Sequence, residues 1–100
     1  MSGLSDDEFL ARLERDVRAT IGPSLVPRVR AHAAHIATFQ SPVRHEKVAE
    51  DVQQEILDTH VRTVWPPCPA HPNHPLWYED GAWRCPVDAS VVIAPGELRA

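Results

Sequence analysis

Two short groups of possible metal ligands near the C-terminus constrain the fold of this chain more than any other feature. The first runs Cys68-Pro-Ala-His71-Pro-Asn-His74-Pro and the second runs Cys85-Pro-Val-Asp88. A tight turn brings side chains i and i+3 to the same side, and a proline after each cysteine favours such a turn. Sulfur and imidazole nitrogen at this density are typical ligands of zinc. Without a metal, the cysteines would form a disulfide or two buried thiols, which would leave the neighbouring histidines unexplained.

A structural zinc site has four ligands. Three of them are assigned to Cys68, His71 and Cys85, so one ligand is still to be assigned. His74 and Asp88 compete for it. Zinc accepts carboxylate oxygen, but structural sites favour nitrogen and sulfur, so we expect His74 to be the fourth ligand and Asp88 to be the alternative.

His60 is a candidate for a supporting role at the same site. It lies eight residues before Cys68, near the end of a predicted helix. A metal-bound histidine commonly needs a neighbour that orients its ring by a hydrogen bond. We therefore include His60 as a possible orienting partner rather than as a ligand.

The segment between the two groups predicts a β-hairpin. Aromatic runs on either side of Glu-Asp-Gly indicate two strands, and Gly81 can adopt the left-handed conformation of a bulged turn. A three-residue loop would place Trp77 opposite Trp83. Residues 91–94 predict a short third strand. The three tryptophans of this region are interpreted first as a small core and second as an exposed surface for a partner.

This arrangement resembles the zinc ribbon, most closely ribbons of the general transcription factor B type. The first knuckle of those ribbons is Cys-Pro-x-His-Pro, and the second follows the hairpin as Cys-Pro-x-Cys. The resemblance covers about residues 66–94 and assigns Cys68 and His71 to the first knuckle and Cys85 to the second. Asp88 stands where the family has its last cysteine, which departs from the pattern. The resemblance implies binding to nucleic acid or to the transcription machinery, because the resembled ribbons contact a polymerase protein surface.

A second resemblance involves the pattern as a whole. Cys-Pro-x-His, His-Pro-Leu, Trp-x-Cys-Pro and the late Gly96-Glu97-Leu98 are similar to small uncharacterised zinc-ribbon proteins of high-GC bacteria. That resemblance brings no established activity with it.

Composition divides the chain at Trp65 into a helical part, residues 1–64, and a zinc-ribbon module, residues 65–100. The second part holds both cysteines, all three tryptophans and seven of the ten prolines. Its 36 residues are fewer than the roughly 40 at which apolar burial alone usually sustains a fold. We therefore expect Zn²⁺ to be structural and to contribute on the order of 10 kcal/mol to folding.

The first predicted helix begins at Ser5. Ser5 and Glu8 form a capping-box pattern, and Leu4 and Phe9 are spaced as a hydrophobic staple. One apolar stripe continues at helical spacing through Phe9, Leu10, Leu13, Val17 and Ile21. Gly22-Pro23 predicts its end.

Two further helices are predicted before Trp65. Residues 25–39 fit either a helix or a strand, and their four alanines favour a helix with Pro27 in its first turn, provided that Ser24 caps it. Residues 43–63 predict a third helix that follows Ser41-Pro42. The predicted class is thus α+β, with about three N-terminal helices followed by a small zinc ribbon that contains a β-hairpin and a short third strand.

The net charge and the absence of several catalytic motifs reduce the number of function classes that fit this chain. Fourteen acidic residues against ten basic ones give a net charge of −4, which opposes contact with nucleic acid phosphates. The chain lacks the His-x-Glu of deaminases and a phosphate-binding glycine loop. We expect a non-enzymatic protein-binding or adaptor module with a protein partner or as a homo-oligomer. The alternatives are a transcription-associated or nucleic-acid-binding ribbon and, after it, a metal-dependent hydrolase or deaminase.

The N-terminal sequence is relevant to the cellular location of the protein. It is acidic where a signal peptide needs a basic patch, and no stretch approaches the roughly 18 apolar residues of a membrane span. The sequence-based expectation is a cytoplasmic protein with no membrane segment.

Overall fold

The computed structural model describes residues 5–36, 44–59, 65–70 and 74–98. In these residues three helices precede a three-stranded antiparallel sheet, which confirms the predicted α+β class. The elements are α1 (Asp6–Thr20), α2 (Val26–Ile36), α3 (Arg44–Thr59), β1 (Trp77–Glu79), β2 (Ala82–Arg84) and β3 (Val92–Ile93). No helix in the described ranges is long and apolar enough to cross a membrane.

Helix α1 begins where the capping pattern predicts. The Ser5 hydroxyl oxygen accepts a hydrogen bond from the backbone N–H of Glu8 at 3.2 Å. The Glu8 carboxylate in turn accepts from the Ser5 hydroxyl at 3.3 Å, rather than from backbone. The predicted stripe is buried at Phe9, Leu13 and Val17. Leu4, the other half of the predicted staple, lies outside the described residues.

Helix α2 follows a short 3-10 turn at Pro23–Leu25, which begins after Gly22 and has no side-chain cap. Ser24 therefore lies inside that turn, and Pro27 falls in the first turn of α2. Helix α3 buries the predicted stripe at Val48, Val52 and Ile56. Residues 37–43 and 60–64 are outside the described ranges, so the predicted ends of these two helices are not tested.

The β1–β2 hairpin closes through a two-residue turn, so the prediction of a three-residue bulged loop is wrong. Asp80 and Gly81 both have positive φ, at 51° and 78°. Two consecutive residues of this kind form the turn whose twist matches that of paired strands, and Asp-Gly is a favoured sequence for it. The shorter loop pairs Tyr78 with Trp83 and places Trp77 opposite Arg84.

A further antiparallel segment precedes β1. Pro67 forms an isolated bridge with Pro75. On either side of it, the Leu76 N–H donates to the Pro66 carbonyl at 2.8 Å and the Cys68 N–H donates to the His74 carbonyl at 3.1 Å. Residues 66–68 thus run alongside residues 74–76, which continue into β1.

One hydrophobic core includes residues from both sides of Trp65. The Phe9 ring of α1 meets Tyr78 of β1 edge-on with ring centroids 5.2 Å apart. The Trp65 indole N–H donates to the Thr20 hydroxyl at 2.9 Å. Whether residues 1–64 and 65–100 fold independently stays a prediction, but their buried side chains form a single cluster.

Candidate metal centre

The two cysteines begin two turns at the same end of the sheet. Cys68 is the last residue of the segment paired with residues 74–76, and Cys85 follows directly after β2. In a series of adjacent antiparallel strands, alternate turns lie at the same end. The turns after Cys68 and Cys85 are separated by the Asp80-Gly81 turn, which therefore lies at the opposite end.

The strand register also places the two cysteines on one face. Directly paired residues share a face, as do alternate residues along a strand. Cys85 shares the face of Trp83 and Tyr78, because Trp83 pairs with Tyr78. His74 is on this face as well, because it lies four residues before Tyr78, and the pair formed by Cys68 and His74 brings Cys68 onto it.

This shared face is the one that packs on the helices. The side chains of Cys68 and Cys85 are 1% and 5% exposed. No disulfide joins them. His74, at the rim, is exposed. The fold thus brings two buried thiols and one exposed imidazole to the same end and the same face of the sheet.

The second turn holds Asp88 by a defined set of hydrogen bonds. The Cys85 N–H donates to the Val91 carbonyl at 3.2 Å, and the Val91 N–H donates to the Asp88 carbonyl at 3.0 Å. Asp88 Oδ1 accepts from the Ser90 N–H at 3.0 Å and from the Ser90 hydroxyl at 2.6 Å. The carboxylate is therefore oriented within the turn, three residues after Cys85.

Two of the predicted site residues, His71 and His60, lie outside the described residues. Among the residues that are described, no group of three or more histidine, cysteine or acidic side chains is arranged to hold a metal ion. The structure therefore leaves the choice between His74 and Asp88 untested, together with the complete ligand set.

Asp16 of α1 is a buried carboxylate that the sequence analysis did not single out. Its side chain is 0% exposed. It accepts from the indole N–H of Trp83 at 2.9 Å, and from the backbone N–H groups of Gly96 at 2.9 Å and Leu98 at 3.0 Å. Burial raises the pKa of Asp16, while these donors act to lower it. The sequence signal was its spacing, because Asp16 lies three residues after Leu13 on the apolar stripe.

Gln53 of α3 supports the first turn and was also missed. Its side-chain amide donates to the Trp65 carbonyl at 2.8 Å and to the Leu76 carbonyl at 2.9 Å. These carbonyls flank the Cys68 turn on both sides. Gln53 is 4% exposed, so both bonds are made away from water. The two helices thus hold the strand segments that lead into both cysteine turns.

Comparison of the chain with protein-family models, with curated proteins and with solved structures finds no match.

Proposed function

We propose that this chain is a small non-enzymatic zinc-ribbon protein that serves as a protein-binding or adaptor module. The observation that carries the proposal is the placement of Cys68 and Cys85, which are both buried, at the same end and on the same face of the sheet. Structural zinc commonly uses two thiolate ligands of this kind, each at the start of a turn and both at the same end of a sheet.

The donor set fits zinc in kind. Cys68, His71 and Cys85 would hold the ion together with either His74 or Asp88. Bound zinc would supply a cross-link between two turns that have few apolar side chains of their own. The chain's own contribution is to position the turns, through Gln53 at the first and through Asp16 and Trp83 at the strand that leads to the second.

A role in protein binding is supported by the outer face of the sheet. Trp77 and Val92 are 46% and 48% exposed, and the register places both of them next to Arg84 on that face. Val87, in the second cysteine turn, is 60% exposed. Exposed apolar side chains gathered on one surface are typical of an interaction site.

The charges disfavour nucleic acid as the partner. Arg84 is the one basic residue among the described residues after Trp65. Its guanidinium group donates to the carbonyls of Glu79 at 2.9 Å and Asp80 at 3.4 Å, which occupies donors that a phosphate would need.

Zinc content tests the proposal directly. Native mass spectrometry of the full chain is expected to show a single zinc ion. Cys68→Ser and Cys85→Ser should each lose the ion, because a hydroxyl is a poor substitute for a thiolate ligand. Val87→Ala, an exposed change in the second turn that removes no proposed ligand, is the control and should retain zinc. A folded, metal-free wild-type protein would contradict the proposal.

The same measurement distinguishes the two candidate fourth ligands. We expect His74→Ala to weaken zinc retention against a competing chelator far more than Asp88→Ala does, and the reverse order would assign Asp88. Cobalt-substituted protein should give a four-coordinate spectrum that does not change with pH. A pH-dependent, five-coordinate spectrum would instead indicate a bound water and would favour the hydrolase alternative.

A further inference from the structure

A cleft between α3 and β1 contains an exposed aromatic ring, Trp77, and the carboxylate of Glu46. Its volume is about 190 Å³. It is lined by Glu46, Lys47, Glu50, Gln53, Trp77 and Tyr78. The cleft lies between α3 and β1, the edge strand of the sheet, and both Trp77 of the outer face and Tyr78 of the inner face contribute to its lining.

Trp77 differs from the other two tryptophans in its exposure. Its side chain is 46% exposed, whereas Trp65 and Trp83 are 2% and 0% exposed. Arg84, the cross-strand neighbour of Trp77, has its guanidinium group bonded to the Glu79 carbonyl at 2.9 Å, which directs it toward the hairpin turn. A ring face of Trp77 is therefore available to another molecule.

Glu46 supplies a negative charge that the cleft does not neutralise. Lys47, the one basic residue among the described residues that line the cleft, pairs with Glu50 at 3.3 Å and with Asp51 at 3.5 Å. Within the described part of the chain, no hydrogen bond or ion pair engages Glu46. Burial, with the nearby Glu46 charge as the next cause, raises the pKa of Tyr78 to about 12.

We propose that this cleft binds an arginine side chain of a partner protein. Its guanidinium group would stack on Trp77 and pair with the Glu46 carboxylate. Arginine fits because its planar cation both stacks on aromatic rings and pairs with carboxylates. The inference deepens the proposed binding function, and rests on it, by naming the chemistry of the partner.

The surrounding charges favour a basic segment over a nucleic acid. A tryptophan can also stack on a nucleotide base, but nucleic acid binding needs a positive surface to follow the phosphates. Here Trp77 lines the same cleft as Glu46 and Glu50. These carboxylates would attract a basic peptide and repel phosphate.

Binding can be followed at the indole N–H signals of the full-length, nitrogen-15-labelled protein. We expect N-acetyl-arginine amide to shift the Trp77 signal saturably and to leave the buried Trp65 and Trp83 signals in place. N-acetyl-citrulline amide, the uncharged analogue of the same shape, should cause no comparable shift. A citrulline effect equal to that of arginine would overturn the proposal, because the interaction would not depend on charge.

Matched variants assign the binding to the cleft. Glu46→Gln should weaken binding about three- to fivefold, as expected for losing one partly exposed charge pair, and Trp77→Leu should weaken it about two- to fivefold through loss of the ring. Glu79→Gln removes a charge from the same strand outside the cleft and should bind as wild type does. Unchanged binding by Glu46→Gln would overturn the proposal.

Other occupants have distinct signatures. If the Trp77 signal shifts with protein concentration alone and sedimentation shows dimers, the occupant of the cleft is a second copy of the chain and not an arginine of another protein. A shift caused by oligothymidylate at physiological salt would replace it by nucleic acid. Zinc counted on the same sample distinguishes the two proposals: zinc without an arginine effect overturns this inference alone, whereas an arginine effect without zinc overturns the zinc-ribbon assignment alone.

Discussion

Asp16 is the residue that links α1 to two distant parts of the chain. One carboxylate oxygen accepts from Trp83 and Gly96, and the other accepts from Leu98. All three partners are donors, which suits a carboxylate because both of its oxygens accept. The penalty for burying this polar group is therefore partly offset by hydrogen bonds that also secure the C-terminal segment to the helix.

Asp16→Asn tests this role with almost no change of shape. The amide nitrogen of asparagine cannot accept a hydrogen bond, so it would face at least one N–H donor in the core. We expect the free energy of unfolding to fall by about 2–4 kcal/mol in urea denaturation. Asp58→Asn, at an exposed position of α3, is the control and should change it by less than about 0.5 kcal/mol. Equal effects of the two changes would contradict the role assigned to Asp16.

The pH dependence of the same residue has a definite sign. The pKa of Asp16 in the folded chain is raised above its ordinary value of 3.8. Between these two pKa values, the folded chain holds a proton that the unfolded chain has already released. Its contribution to stability is then fully present below the ordinary pKa and is lost as the pH rises through the raised one. Carbon-13 NMR titration of this carboxyl group should give a midpoint above 3.8. A lower midpoint would reverse the sign.

Helix α3 contributes to the sheet through one polar side chain. Gln53 satisfies the carbonyls of Trp65 and Leu76 in a position that is closed to water. Gln53→Ala would leave two buried acceptors without a partner, so we expect a loss of about 2–4 kcal/mol in the free energy of unfolding. Gln54→Ala, one residue along the same helix, removes an exposed bond to Asp58 and is the matched control. Similar losses for both variants would contradict the role assigned to the buried bonds, because alanine favours the helix at both positions.

Local patterns were sufficient to predict the helices, the hairpin and the third strand, because each depends on residues close in sequence. They did not determine the hairpin register. Trp77 and Tyr78 are adjacent aromatic residues, and either one can face a core until the loop length is known. The loop has two residues because Asp80 adopts a positive φ, a conformation that is uncommon for residues other than glycine. This loop length sets the register of the hairpin.

The candidate site shows the same limit. The turns at Cys68 and Cys85 could be predicted from local spacing, whereas their common face follows from the strand register. The supports of the site could not be found locally, because Gln53 is 23 residues from Leu76 and Asp16 is 67 residues from Trp83. The spacing of Asp16 on the apolar stripe was a signal of its burial, but it did not indicate its partners.

The helices and the sheet share their buried surface. Trp65 packs edge-on against Trp83 with ring centroids 5.7 Å apart, and it donates a hydrogen bond to Thr20 of α1. Phe9 of α1 packs between His45 of α3 and Tyr78 of β1. The apolar stripe of α1 thus relies on Tyr78 of the sheet to complete its burial.

If zinc binds as proposed, this shared core predicts that its removal affects the whole molecule. On addition of a strong chelator, we expect the near-ultraviolet circular dichroism of the tryptophans and the far-ultraviolet signal of the helices to decrease together. The cause would be exposure of the Phe9, Leu13 and Val17 stripe once Tyr78 and Trp83 are no longer held against it. Helical signal that persists after the tryptophan signal is lost would instead show that the boundary at Trp65 separates two independently stable units. We expect cooperative loss, because Asp16 and Gln53 connect two helices to the segments that lead into the two cysteine turns.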